Sequence, residues 1–103
     1  YHFTWSCDDT GSENYHVNYG TSDSLYGPVR FEKTILQKDV QKGVLGTGHH
    51  SICKVPGKDA YWIAYHRFGT PLAQYPEGKG FHRETCVAPL EFDEAGKMME
   101  VIV

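Results

Sequence analysis

The 103-residue chain has no run of about 18 apolar residues, the length a helix needs to cross a bilayer, and no charged segment leading into an apolar stretch as in a secretory leader. It also lacks a cluster of Lys and Arg. Ten basic side chains against thirteen acidic ones leave a net charge of −3, so no patch neutralises a phosphate backbone or holds an anionic lipid surface. Nucleic acid and membrane are therefore not expected partners. Cysteine is sparse: Cys7, Cys53 and Cys86 are odd in number, lack the paired C-x-x-C spacing of a zinc site, and read as buried small hydrophobes rather than a disulfide frame or metal site. Sustained 3.6-residue periodicity is missing too, which argues against a helical architecture. No Met opens the chain. It starts inside a strand-like pattern, Tyr1-His2-Phe3-Thr4-Trp5, and the expectation is a segment of something longer whose compartment, extracellular, periplasmic or cytoplasmic, stays open.

What is present is 40% hydrophobic and 14% aromatic, enough for one small core, since a domain of this size buries only about two-thirds of its unfolded surface. Aromatic and β-branched runs alternate with Gly, Pro, Asp and Ser clusters, the signature of an all-β domain. Strands are expected at Tyr1–Ser6, Tyr15–Thr21, Phe31–Gln37, His49–Val55, Ala60–Arg67, His82–Phe92 and Lys97–Val103. Turns fall at 8–12, 27–28, 56–59 and 93–96. The longer connections Lys38–Gly48 and Gly69–Gly80 are candidate functional loops.

In Ala60–Arg67, Tyr61, Ile63 and Tyr65 fall on one face and Trp62, Ala64 and His66 on the other, so neither face seeks water. Such a strand wants cover on both sides. A sandwich sheet usually has a cleaner polar face, whereas a propeller blade is packed between two neighbours. The reading is therefore antiparallel blades: three strands of one blade over residues 1–39, and a complete four-stranded blade over 46–103.

Several short segments, none specific alone, carry a resemblance through their order and spacing. They are Tyr1-His2-Phe3-Thr4-Trp5-Ser6, Tyr15-His16-Val17-Asn18-Tyr19-Gly20-Thr21-Ser22, Gly27-Pro28, Gly48-His49-His50-Ser51, Tyr61-Trp62-Ile63-Ala64-Tyr65-His66-Arg67, Arg83-Glu84-Thr85, and Leu90-Glu91-Phe92-Asp93 with Gly96. Together they resemble the family 43 glycoside hydrolases, and the resemblance runs along nearly the whole chain. It implies the end of the fourth blade and all of the fifth in a five-bladed propeller. It further implies an inverting hydrolase of the arabinofuranosidase and xylosidase type, acting on the side chains of plant polysaccharide. Inversion needs a carboxylic acid and a carboxylate about 6.5–9.5 Å apart. The resemblance places the family's three catalytic acids before Tyr1, so no general acid or base is assigned here and the chain alone is expected to be inactive.

Strand parity brings the start of the first strand of the second blade, the loop between its second and third strands and the start of the third to one end. That end gathers His49, Gly69–Gly80 and Arg83, with the Cys7–Asn14 loop and Glu13 arriving from the preceding blade; the turns at 56–59 and 93–96 lie opposite. By resemblance, Arg83 reaches sugar hydroxyls and the catalytic carboxylates, a task suited to its fork of donors; the plain alternative is a surface ion pair with Glu84 or another carboxylate. His49 is implied to approach a bound calcium, usually through water. Calcium prefers oxygen, so the alternative is a structural His, with zinc as a further metal reading through His49 and Cys53. His50 should face the other way and pack between blades. Glu13, Trp5 and Phe68 complete the substrate-binding candidates, the aromatics as stacking partners for a sugar ring or as core. Carbohydrate and the remaining blades, or a second copy of the chain, are the expected partners. The competing reading is a carbohydrate-binding or assembly module without catalysis, and a third is a metal-binding domain organised by the histidines.

Overall fold

Six of the seven apolar runs form strands in the computed structural model, which describes residues 1–74 and 79–103. They are β1 (His2–Cys7), β2 (His16–Thr21), β3 (Arg30–Leu36), β4 (Gly48–Lys54), β5 (Tyr61–Phe68) and β6 (Arg83–Leu90), joined by loops and three short 3₁₀ turns. β1-β2-β3 and β4-β5-β6 are two antiparallel sheets, each in chain order. The all-β, antiparallel expectation holds, and each strand end falls within two residues of the sequence reading.

Alternation decides how the sheets meet. On β2, Val17 and Tyr19 are fully buried, and on β5 so is Ile63, with Tyr65 nearly so; these join Ile35, Leu36, Ala88 and Leu90 in a core between the sheets. From β1 the even-numbered residues face the second sheet. The Thr4 hydroxyl lies 2.7 Å from His50 Nε2, and the Ser6 hydroxyl accepts the His49 amide at 3.3 Å. His50 thus packs between the sheets as expected. The odd positions of β1 look the other way: Trp5 pairs with Asn18, whose amide donates to Cys7 Sγ and whose carbonyl accepts from Thr34.

The expected seventh strand, Lys97–Val103, does not form as a strand. Phe92 and Met98 make one isolated bridge, after which the backbone leaves its own sheet and Val101 donates to the Ile35 carbonyl at 2.7 Å. The second sheet therefore has three strands where four were expected. The physical reason is in the side chains. Met98 and Val101 are the buried positions of this segment, and a spacing of three cannot be met by a flat strand, whose faces alternate every second residue. The segment twists instead, filling the gap between the sheets, and Gln37 to Glu100 and Lys42 to the Val103 carbonyl, both 2.8 Å, hold it against the first half of the chain.

Candidate functional site

The sequence Gly46-Thr47-Gly48 delivers β4 to the site end, and its glycines have steric causes. Gly46 has φ +66°, and a Cβ there would sit 2.5 Å from the Phe68 ring; a Cβ on Gly48 would collide with the Tyr15 ring. Two aromatic rings can thus lie flat on the backbone. The next residue is less comfortable. His49 sits at a register shift between Gly48 and Ser51 with φ +51°, a left-handed conformation that costs a side-chain-bearing residue about 1 kcal/mol or more.

Parity holds. The Gly46 amide donates to the Glu13 carbonyl at 2.9 Å and the Phe68 amide to the Leu45 carbonyl at 2.9 Å, so the Cys7–Asn14 loop and the ends of β4, β5 and β6 meet at one end. Of the Gly69–Gly80 connection, residues 75–78 lie outside the described residues.

Arg83 is the centre of this end. Its Nε donates to His66 Nδ1, one Nη donates to the Thr10 carbonyl at 2.7 Å, and the other donates to the carbonyls of Gly46 and His66. The guanidinium carbon lies 5.3 Å from the Phe68 ring centroid and 5.6 Å from that of Tyr15. Burial lowers its pKa from the ordinary value, a direction that still leaves an arginine charged at neutral pH. The expected alternative, an ion pair with Glu84, is not found. Glu84 accepts instead from Arg67 Nε at 2.9 Å and the Thr70 hydroxyl at 2.7 Å, and these bonds, Thr70 first, hold its carboxyl below the usual range.

His49 is exposed, and its ring stacks on that of His66 with centroids 4.8 Å apart. Among the described residues, no three His, Cys, Asp or Glu side chains converge to hold a metal ion. Calcium takes six to eight oxygen ligands, and no acidic side chain is brought beside His49 among the described residues in such a cluster. Cys53, the sulfur partner in the zinc reading, is exposed and donates to the Lys54 carbonyl at 3.4 Å.

The weaker candidates separate. Phe68 is fully buried, which corrects its reading as a sugar-stacking ring: it supports Arg83 and Gly46 from within. Trp5 lies on the face of β1 turned away from β4, its indole beside Gly20, and remains partly exposed. Glu13 reaches the site only through its carbonyl; its carboxylate lies 3.8 Å from Lys38. Sequence reasoning missed His66 and Tyr15. His66 was within reach of the same parity count, because it lies two residues from the end of β5, at the end where β6 begins. Tyr15 precedes β2 and packs on Gly48, a tertiary contact that no spacing encodes.

A concavity of about 890 Å³ opens at the far end, lined by His2, Ile52, Tyr61, Trp62, Leu90 and Phe92. It is a gap between the sheets near the 56–59 and 93–96 turns, remote from the Arg83 cluster.

Residues 1–98 match the model of the glycosyl hydrolases family 43. The chain is 35% identical over 102 residues to a β-D-galactofuranosidase of Aspergillus niger and 31% identical over 102 residues to a xylosidase/arabinosidase of Bacteroides ovatus. It covers 98% of itself in both alignments, but only 28% and 26% of those proteins. It superposes along its whole length on a thermostable family-43 glycoside hydrolase with a TM-score of 0.81 and 26% identity, covering 31% of that chain. The chain spans roughly a quarter to a third of the relatives it matches, and it belongs to family 43 of the glycosyl hydrolases.

Proposed function

We propose that this chain is the C-terminal part of an inverting glycoside hydrolase, most of one blade (residues 1–39) and the blade that follows it (46–103) of a five-bladed propeller that acts on pentose-linked side chains of plant polysaccharide. The observation that carries the reading is the convergence of Arg83, His66 and His49 at the end where β4 and β6 begin, inside a chain that the family model matches over 1–98. The names of the two curated relatives support furanosidase and xylosidase chemistry as the substrate class.

The division of labour follows from the carboxylates. A general acid for glycoside cleavage needs a raised pKa. The carboxylates with displaced values, Glu32, Glu84 and Asp93, are all displaced downward, by hydrogen bonds to Lys97, Thr70 and the Lys97 backbone respectively. These groups stay ionised and unsuited to protonate a leaving oxygen. The resemblance to the family, which places the catalytic acids before Tyr1, assigns the proton-transferring carboxylates to blades outside residues 1–103. Arg83 supplies a fixed cation. One N–H of its guanidinium has no partner among the described residues and is available to a sugar hydroxyl or to a catalytic carboxylate, which that charge would keep ionised.

The test is hydrolysis of aryl α-L-arabinofuranoside and β-D-xyloside by the longer protein carrying these residues, with the anomer of the released sugar followed by NMR. Hydrolysis with inversion is expected, and Arg83→Ala should lower kcat/KM by about 10²–10³, as for loss of one preorganised donor. Hydrolysis by residues 1–103 alone, or unchanged activity in Arg83→Ala, would defeat the proposal. So would undiminished oligosaccharide affinity in residues 1–103 together with an inactive longer protein, the behaviour of a binding module.

A further inference from the structure

We propose that His66 is a positioning residue: its neutral imidazole fixes the plane of the Arg83 guanidinium without cancelling its charge. The inference rests on the reading of Arg83 as a pocket residue, but its core is stereochemical. Arg83 Nε donates to His66 Nδ1. A guanidinium has only donors, so Nδ1 must present its lone pair and the single ring proton must sit on Nε2. The surroundings agree with an uncharged ring, since burial first, and then the charges of Arg83 and His49, push its pKa below the ordinary imidazole value.

Rotation of the ring is restrained from two sides. His49 stacks on it at 4.8 Å, and Tyr15 lies tilted with centroids 6.5 Å apart. Among the described residues, His66 supplies two of the four acceptors that hold Arg83, through its ring nitrogen and its own carbonyl. The other two, Thr10 and Gly46, are also backbone carbonyls. His66 is therefore the one side chain in the set, and the one anchor that substitution can remove without moving the main chain.

The choice of residue is chemically specific. Asp or Glu at this place would accept the same hydrogen bond but would form an ion pair and neutralise the charge that a substrate or catalytic carboxylate requires. A neutral imidazole aims the guanidinium and leaves its charge unspent. It also gives His49 a flat partner, so one ring orients both candidate pocket residues.

Two variants separate positioning from mere packing. His66→Asn places an amide oxygen where Nδ1 stood and keeps the acceptor, whereas His66→Phe keeps the ring and loses it. Nitrogen-15 NMR of residues 1–103 should show His66 protonated on Nε2 and a slowly exchanging Arg83 Nε–H. That signal should persist in His66→Asn and vanish into fast exchange in His66→Phe, while the Arg67 Nε–H, bonded to Glu84, stays as the internal control for folding. In the longer protein, His66→Phe should lower kcat/KM by about 100-fold, the scale of a misplaced catalytic geometry, and should add nothing to Arg83→Ala. His66→Asn should retain most of the activity. A proton found on Nδ1, or an Arg83 signal equally protected in His66→Phe, overturns the assignment. If the longer protein hydrolyses no glycoside, the functional reading fails while the spectra still decide the role of His66.

Discussion

His49 holds a backbone conformation that its own side chain disfavours, and strain of this kind persists only where the surroundings impose it. Its amide is tied to Ser6 and its ring to His66, so the imidazole is presented at the site end at a local cost. Comparing two variants that both lack the ring isolates that cost. His49→Gly should be more stable than His49→Ala by about 1 kcal/mol in urea unfolding, because glycine adopts positive φ freely; equal stabilities would mean that residue 49 is unstrained. The adjacent histidine gives a pH signature. His50 is pressed between the sheets with Nδ1 unpartnered among the described residues, and burial, assisted by the charge of His49, lowers its pKa from the ordinary 6.5. His66 is lowered in the same direction. For a lowered imidazole the unfolded chain takes up the proton first, so stability is complete above about pH 6.5 and is lost as pH falls through the folded values. Unfolding free energy should therefore decline on acidification below that point. His50→Gln, which keeps a group within reach of Thr4 and does not titrate, should flatten the decline; an unchanged slope would remove His50 from the account.

Between strands, legibility followed the strength of the period. The alternation of β5 sets Tyr61, Ile63 and Tyr65 on one face and Trp62, Ala64 and His66 on the other, yet both faces are apolar and the period alone does not say which is buried; the end-to-end count nevertheless places Arg83, His49 and the Cys7–Asn14 loop together. At Phe68 and Trp5 the sequence leaves stacking and core both open, for one shared reason. An aromatic near a site is equally suited to sugar and to core, and only three-dimensional packing shows that Phe68 lies under Arg83 and that Trp5 faces outward. The terminal segment failed differently: its apolar run fits a strand in composition, yet burial at Met98 and Val101 follows a spacing of three, set by the need to bridge two sheets. That distinction is measurable. Met98→Ala should cost about 2–5 kcal/mol as a buried large-to-small change, whereas Ile102→Ala, at a position 84% exposed, should stay within about 0.5 kcal/mol. Comparable losses at both positions would mean that the segment packs as a two-sided strand after all.

For the molecule as a whole, the two sheets cover each other on one side only. The outward face of the first exposes Trp5, Val29 and Phe31, the last at 61%, and the second exposes Trp62 and Val87 at 44% and 65%. In a blade these faces are covered by neighbours, and here they meet water, as do the unpaired edges of β4 and β6. A net charge of −3 gives little long-range repulsion to keep copies apart. Residues 1–103 in isolation should therefore self-associate, with the average mass in sedimentation velocity rising with protein concentration. Trp62→Lys and Val87→Lys place charge on the exposed face of the second sheet, away from the Ile63 and Leu90 side that forms the core. They should suppress association while changing the unfolding free energy by no more than about 0.5 kcal/mol each, the usual range for surface substitutions. Association that persists unchanged in both variants would shift the contact to the first sheet, where Trp5→Lys is the corresponding probe. A chain that stays monomeric at every concentration would mean that these faces need no cover, and the reading of the chain as two blades of a larger ring would lose its physical motive.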